Sequence, residues 1–457
     1  VERFGFAESR GPAADRPNFV VIFCDDLGYG DVGCFGSKKH RTPNLDRMAA
    51  DGMRFTSFYV TSGVCTPSRS SLMTGCYPRR INMHENEAGL CVLFPVNQKG
   101  LHPHEITVAE VLKEQGYATA CVGKWHLGDQ PDLLPTRQGF DYYYGIPYSN
   151  DMGTNQGPGR PPLPLLRNER VIEAPADQTT LTQRYTDEVI QFMRKNRERP
   201  FFVYLPHTMP HNPVHASDKF RDTSDNGRYG DAVEEIDWSA GQILAAIKAL
   251  GLDEKTLVIF TSDNGAASRW GGSNGPLRGH KGSTWEGGMR EPCIMRWPGT
   301  IPAGTECDEL ACTMDLLPTF ARLAGTREPT DRIIDGRDIR PLLSGQAGAK
   351  TPHEAFYYYQ MDQLQAVRSG RWKLHLALKP KKRNWGKPEP EGPLLLYDLN
   401  ADVGEQNNVA AQHPDVVERL LALAEKARDD LGDTGRPGKN QRPAAFVAKP
   451  KPLRMGS

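Results

Sequence analysis

The sequence carries no excess of either charge: 56 lysines and arginines stand against 56 aspartates and glutamates, a formal net charge of zero. That balance excludes a nucleic-acid binder working through a general basic field and a disordered acidic protein, so no nucleic-acid partner is expected. Strong charge, where it exists, must be local. Long apolar runs are also missing. The longest, at residues 19–24 and 257–260, fall far short of the ~18 residues that a membrane-spanning helix needs, so no span is expected. The nine cysteines include no Cys-X-X-Cys pair, which argues against a zinc ribbon or a thioredoxin-type site. Their odd number leaves at least one thiol over for other chemistry. There is no Asn-X-Ser/Thr acceptor and no internal repeat. No charged, then apolar leader opens the chain, and a start at Val1 is consistent with a mature form whose leader has been removed.

What the chain does have is enough apolar residue for a sizeable core, 38% in all, which the 45 glycines bring close to the ordinary globular share, and 36 prolines that imply many stiff loops over it. After a polar opening segment, residues 17–24 form a continuous apolar run, the pattern of a strand buried on both faces. It stops abruptly at Asp25-Asp26. Similar runs occur at residues 117–122 and 200–205, and at 256–261, which leads straight into Asp263-Asn264. Helical spacing covers residues 44–51, 107–115 and 232–250. Thr107 and Glu110 make a capping box for the second, while Gly116 and Gly251 end the last two. Helices alternating with buried strands predict an α/β fold, a mostly parallel sheet covered by helices on both faces, with the site beyond the carboxyl ends of the strands. From residue 346 the pattern changes to antiparallel strands at 355–359, 364–376 with a turn at Ser369-Gly370, and 394–399, followed by an amphipathic helix at 415–431. The chain therefore divides into a larger α/β domain over 17–345, a smaller α+β domain over 346–431 and a basic, proline-rich tail over 432–457 that is a solvated extension or a wrap.

Two strands that end in paired oxygen donors, Asp25-Asp26 and Asp263-Asn264, offer the ligands that hard divalent cations prefer. Either pair alone is more often a turn or a cap. In Val64-Cys65-Thr66-Pro67-Ser68-Arg69, Pro67 suits a first helical turn and Thr66 its cap, which puts Cys65 at a helix N-terminus where free amides favour anions. Arg69, four residues on, shares its face. The bland alternative is a structural cysteine before an ordinary capped helix. Lys124 and His126, two apart, project to one side if their segment is extended. His84, His102, His104 and His215 lie in polar loops and read as solvated; Tyr142-Tyr143-Tyr144 and Tyr357-Tyr358-Tyr359 read as packing, and Cys24 as core.

Cys65-Thr66-Pro67-Ser68-Arg69, continued by Leu72-Met73-Thr74-Gly75, resembles the signature of the type I, formylglycine-dependent sulfatases, and Gly123-Lys124-Trp125-His126-Leu127-Gly128 is similar to that family's second signature. Further landmarks follow in order: Asp25 to Gly30, Gly145 to Ser149, His211-Asn212-Pro213, Thr261 to Gly265 and Lys281 to Gly288. The resemblance implies an alkaline-phosphatase-like fold and hydrolysis of sulfate monoesters. It implies that a maturation enzyme oxidises Cys65 to formylglycine, whose hydrate attacks sulfur and then eliminates sulfate. The metal, Ca2+ with Mg2+ as the alternative, would be held by Asp25, Asp26, Asp263, Asn264 and an oxygen derived from Cys65. Arg69 would hold the formylglycine, Lys124 would bind the sulfate, and His126 would be the base of the elimination. His211 and Lys281 would contact sulfate and the bridging oxygen, with His211 preferred as the acid; the His-X-Pro pattern selects it over His207. Ser149 matches a sulfate-facing position.

The expected substrate is a sulfated saccharide, cleaved by exo action or as a short oligosaccharide, because no long basic stretch is present to track a polymer. Family members are typically exported, which makes a periplasmic or secreted location the expectation. Two alternatives remain: a phosphomonoester or phosphonate hydrolase on the same fold, which shares the metal logic, and an inactive sugar-binding relative, against which every polar landmark is intact.

Overall fold

A computed structural model describes residues 16–154, 160–378 and 392–455; the polar opening segment before residue 16 and the final two residues of the tail lie outside them. The strands are β1 (Asn18–Cys24), β2 (Met53–Tyr59), β3 (Lys99–Gly100), β4 (Ala118–Val122), β5 (Tyr142–Gly145), β6 (Leu165–Arg167), β7 (Arg170–Glu173), β8 (Phe201–Pro206), β9 (Thr256–Ser262), β10 (Arg290–Arg296), β11 (Thr305–Cys307) and β12 (Ala311–Cys312). All but β3 form one sheet of eleven strands in the order β11-β2-β10-β9-β1-β8-β4-β5-β6-β7, with β12 beside β2. The five central strands, β9-β1-β8-β4-β5, run parallel, while β10, β6 and β7 join antiparallel on the flanks. The sheet is thus mostly parallel but mixed.

Strand β1 shows why both faces must be covered. Its residues alternate: Phe19, Val21 and Phe23 enter one core, and Val20, Ile22 and Cys24 the other. Helices α1 (Pro43–Ala50), α4 (Leu181–Lys195) and α5 (Gly227–Ala249) cover the second of these faces, whereas α2 (Cys65–Thr74), α3 (Val108–Glu114) and α7 (Leu316–Leu323) cover the first. Thr107 caps α3 through the expected reciprocal bonds with Glu110, and Gly116 takes φ +85° just past the helix. Helix α5 begins five residues before its apolar repeat, because Asp231, Glu234, Glu235 and Asp237 on it are buried by polar partners. A second, four-stranded antiparallel sheet comprises β13 (Phe356–Gln360), β14 (Gln363–Ser369), β15 (Trp372–His375) and β16 (Leu395–Asp398); helix α9 (Pro414–Leu431) packs on it around a third core. The short helix α6 (Glu286–Met289) bridges the two sheets, α8 (Arg340–Leu343) lies between them in sequence, and the tail returns through β17 (Gly432–Asp433), β18 (Arg436–Pro437) and β19 (Ala445–Phe446), the last pairing with β3.

His84 corrects the solvated reading: it is buried, with its Nε2 2.9 Å from an Arg79 guanidinium nitrogen. The two tyrosine triplets do pack in cores, and Cys24 is fully buried in β1. No two cysteines are bonded to each other among the described residues.

Candidate active site

Parallel pairing brings the carboxyl ends of the central strands level. Phe23 registers with both Pro206 and Thr261, so the residues just beyond β1, β8 and β9 meet at one edge. Asp25 and Asp26 leave β1, Asp263 and Asn264 leave β9, Lys124 follows β4, Ser149 follows β5, and His211 follows β8. Helix α2 points its N-terminus into the same place, with Cys65 as its first residue. All eleven residues singled out from the sequence are 9% exposed or less.

The carboxylates organise the site. Lys124 Nζ lies 2.6 Å from Asp25 Oδ2 and 3.2 Å from Ser149 Oγ. Arg69 Nη2 lies 2.6 Å from Asp263 Oδ2 and 3.4 Å from Asp25 Oδ1, and its Nη1 donates to the Lys124 carbonyl at 3.1 Å. Lys281 Nζ is 2.7 Å from Asp26 Oδ1, and His211 Nε2 is 3.7 Å from Asp26 Oδ2. Asn264 donates to Asp26 Oδ1 at 2.7 Å. Asp25, Asp26 and Asp263 bring carboxylate oxygens within 4.8 Å of one another, and Asp25 does the same with Cys65 Sγ and a His211 nitrogen. The structure therefore collects every residue proposed from the sequence except His126 around one centre by direct side-chain contact; His126 stands beside it.

Burial sets the protonation states. It pushes the Cys65 thiol up to about 12, despite the pull of Lys124 and Lys281. It also works against the Asp25 carboxylate, yet Lys124, His211, Arg69 and Lys281 together hold that group far below the usual carboxylate range. Asp263 goes the other way, raised by burial to about 7 even with Arg69 against it. Burial and Lys281 lower His211, whereas Lys281 itself is buried but kept protonated by Asp26. Burial and then Lys124 push His126 well below its ordinary value.

Do these residues fit a divalent cation? Two buried oxygens, Asp25 Oδ1 and Asn264 Oδ1, accept no hydrogen bond. Asn264 spends its amide donors on Asp26 and on the Gly265 carbonyl, and its oxygen is left for a ligand. Two unsatisfied hard oxygens, one on a carboxylate and one on an amide, beside the carboxylates of Asp26 and Asp263, match the demands of calcium or magnesium. Asp26 holds φ +66°, a left-handed backbone that a non-glycine residue keeps only when its surroundings enforce it.

Two local expectations need correcting. Thr66 does not cap α2: the helix starts at Cys65 with Val64 as the cap residue, and Thr66 Oγ1 instead donates to the His126 carbonyl and accepts from Leu93 N. Nor is the segment from Lys124 to His126 extended. Gly123, His126 and Gly128 all have positive φ, and a Cβ on Gly123 would collide with the Pro206 carbonyl. The turn lets Lys124 reach Asp25 while His126 Nε2 faces the Leu93 carbonyl at 2.9 Å. A carbonyl only accepts, so Nε2 carries the proton and Nδ1, buried and without a partner, is the basic atom.

Leu93 was invisible to sequence reasoning because it acts through its backbone. Asn150, which donates to the carbonyls of His211 and Pro213 at 3.5 and 3.1 Å, was also missed, though it adjoins Ser149 in a quoted landmark. Glu286 stood in another landmark beside Lys281; it is fully buried and accepts from Tyr59, Tyr358 and Lys373. His207 lies 3.5 Å from Ser239 and away from the carboxylates that His211 approaches.

An acidic, cation-rich edge of this kind on a mostly parallel sheet flanked by helices, with a second antiparallel sheet closing one side, defines an alkaline-phosphatase-like ester hydrolase. The chain belongs to the sulfatase family: the Sulfatase family model matches residues 17–326, and the model for the C-terminal region of aryl-sulfatase matches 351–445. It is similar to arylsulfatase A of Homo sapiens, 41% identical over 90% of this chain and 87% of that one. It is similar also to N-acetylgalactosamine-6-sulfatase of Canis lupus familiaris, 42% identical over 79% of this chain and 72% of the relative. Among solved structures, a sulfatase from Bacteroides thetaiotaomicron, described in terms of the metabolism of multiple glycosaminoglycans, superimposes with a TM-score of 0.80 at 30% identity, covering 91% of this chain and 99% of that one. The chain is a sulfuric ester hydrolase.

Proposed function

We propose that the protein is a carbohydrate sulfatase whose residue 65 works as formylglycine and whose Asp25, Asp26, Asp263 and Asn264 hold calcium, with magnesium as the alternative. The observation that carries this is Cys65 itself. A thiol held near 12 has almost no thiolate at neutral pH, and the Asp25 carboxylate beside it belongs to a cluster of hard oxygens that suits a hydroxyl better than a soft sulfur. A formylglycine hydrate supplies two hydroxyls on one carbon, one to displace the alcohol from sulfur and one to release sulfate afterwards. Held by Asp25, Asp26, Asp263 and Asn264, the cation would supply Lewis acidity.

The chain's own residues do the rest. Arg69 locks Asp263 in place and lies on the helix face of residue 65. Lys124 and Lys281 bring two ammonium groups to an anion at this edge, and Ser149 orients Lys124. His126 Nδ1, its tautomer fixed by the Leu93 carbonyl, takes the proton from the residue 65 hydroxyl in the elimination. His211, whose Nε2 lies 3.7 Å from Asp26, gives a proton to the departing alcohol from its protonated form, which burial and Lys281 disfavour and Asp26 supports. Lys281, kept protonated by Asp26, is the alternative donor.

The saccharide reading rests on the relative named N-acetylgalactosamine-6-sulfatase and on the Bacteroides structure described for glycosaminoglycan metabolism. The absence of a long basic stretch supports short chains or exo action. A periplasmic or secreted location and a maturation enzyme as partner complete the proposal. The test is mass spectrometry of the residue 65 peptide from protein coexpressed with a formylglycine-generating enzyme, followed by chelation and calcium return. An aldehyde mass and a metal-dependent turnover of sulfated saccharides are expected. Full activity with an unmodified thiol would overturn the formylglycine assignment, and full activity after complete chelation would overturn the metal.

A further inference from the structure

His211 stands on a stretch that its own backbone barely holds. Among the described residues, positions 210–216 make no backbone-to-backbone hydrogen bond. The other loops at this edge do: Asp25 N donates to the Met209 carbonyl at 3.2 Å, Lys124 N to the Pro206 carbonyl at 2.7 Å, and Asp263 N to the Cys24 carbonyl at 3.0 Å. What holds the His211 stretch is a side chain. Asn150 Nδ2 donates to the His211 carbonyl at 3.5 Å and to the Pro213 carbonyl at 3.1 Å, and so clasps both sides of Asn212. A third oxygen, Gln178 Oε1, lies 3.0 Å from the same nitrogen, and Gln178 Nε2 donates back to the Asn150 carbonyl at 3.1 Å. Three acceptors around one nitrogen leave the Asn150 amide a single orientation, and at 2% exposure the residue is shielded from water that would compete for these bonds.

The clasp bears on the ring as well as on the backbone. His211 Nδ1 lies 2.6 Å from the Asn212 carbonyl, which stands between the two carbonyls that Asn150 holds. A carbonyl only accepts, so Nδ1 carries a proton there and Nε2 is the atom turned to the centre, 3.7 Å from Asp26 Oδ2. Asn150 itself follows Ser149, whose Oγ meets Lys124 Nζ at 3.2 Å. Two consecutive residues therefore serve the ammonium that binds sulfate and the histidine that faces the leaving oxygen.

We propose that Asn150 is a positioning residue for the proton donor: it holds the His211 loop so that Nε2 meets the bridging oxygen as the sulfur–oxygen bond breaks and its electron pair passes to the alcohol. The assignment rests on the reading of His211 as the acid given above. It makes Asn150 important for alcohols that leave poorly, such as sugar hydroxyls, and much less so for phenols that leave well without a proton. Where the proton is needed, a misplacement of about 1 Å can cost ~10²-fold.

The experiment measures kcat/KM, which reports transfer of the sulfuryl group and not its later release, for 4-nitrophenyl, 4-methylumbelliferyl and phenyl sulfate, in order of worsening leaving group. Asn150→Ala should lower it about 10²-fold for phenyl sulfate and far less for 4-nitrophenyl sulfate, so that the dependence on leaving group steepens. His211→Gln should steepen it further. Adding Asn150→Ala to His211→Gln should then leave the slope where it is, since the clasp has no acid to aim. Gln178→Ala, at a half-buried residue, loosens the clasp more gently and should steepen the slope in smaller measure; it decides the question alone if Asn150→Ala does not fold. An equal loss across the three esters would mean a purely structural role and overturn the proposal, as would wild-type slopes in both Asn150→Ala and Gln178→Ala. If His211→Gln itself keeps the wild-type slope, the acid reading falls and takes the positioning role with it. A steeper slope in His211→Gln beside unchanged slopes in the other two variants separates the two failures.

Discussion

At the scale of single residues, the clearest constraint is on His126. Its Nε2 faces a carbonyl, its Nδ1 has no partner, and its backbone sits at φ +62°, so the side chain has one tautomer and one orientation. A group positioned in this way for proton transfer typically contributes about 10²–10⁴-fold. His126→Ala should therefore lower kcat on 4-methylumbelliferyl sulfate by about that factor while leaving the circular dichroism spectrum and thermal midpoint close to wild type. A kcat within twofold of wild type would remove His126 from the reaction. The same scale shows what residue type alone could not reveal. That Cys65 is special was legible from the longer string, Cys65 to Gly75, and its resemblance to a family signature; the bare Cys-X-Pro-X-Arg pattern fits a structural cysteine before a capped helix as well. That the Leu93 carbonyl orients the base was not legible, since every residue has a carbonyl and only the fold aims this one.

At the scale of elements, strand and helix positions were read closely because their signals are local. The run 256–261 became Thr256–Ser262, and the amphipathic stretch 415–431 became Pro414–Leu431. The antiparallel flanks were not legible, because the direction of β10 against β9 is decided by a connection and not by composition. Neither was the junction at α6. Glu286, the first residue of that helix, accepts from Tyr358 at 3.1 Å and from Lys373 at 2.9 Å, both on the second sheet, and Arg290 lies 3.4 Å away. Burial works against its charge, but Lys373, Arg290 and Arg368 hold it down to about 2. A carboxylate whose folded value is depressed contributes stability above its unfolded value near 4.5, and that contribution disappears as pH falls toward 2. Glu286→Gln removes the carboxylate from Arg290 and Arg368 and leaves Lys373 with Glu405 alone at 2.9 Å, which should cost about 1.5–3 kcal/mol and flatten the loss of stability between about pH 4.5 and 2. Urea unfolding of wild type and variant at pH 7 and pH 3.5 measures both effects; equal midpoints at pH 7 would show that the junction is not held by this charge. Because Lys281 lies five residues upstream of Glu286, the same variant should also lose turnover.

At the scale of the whole molecule, zero net charge conceals a polarised interior, in which three carboxylates face three cations at one sheet edge. The sequence showed the members of that set but not the route by which the tail comes back to them. Residues 432–455 carry no hydrophobic period to betray a contact, yet β19 pairs with β3, Lys451 pairs with Gln130, and Arg442 pairs with Glu105 across the first core. The last of these bears most weight. Arg442 makes two bonds of 2.7 and 2.8 Å to Glu105, whose side chain is 4% exposed, and the two residues are 337 apart in sequence. Arg442→Ala would strand a buried carboxylate and cost about 3 kcal/mol, a shift of several degrees in thermal midpoint. Glu105→Gln in the same chain removes the stranded charge, so the double variant should recover part of the loss, a coupling that two independent surface changes would not show. Turnover of the small aryl sulfate should survive in both variants, because neither residue touches the reacting centre. Additive losses across the cycle would mean that the tail is only draped over the molecule; recovery in the double variant would mean that it is fastened there by this pair.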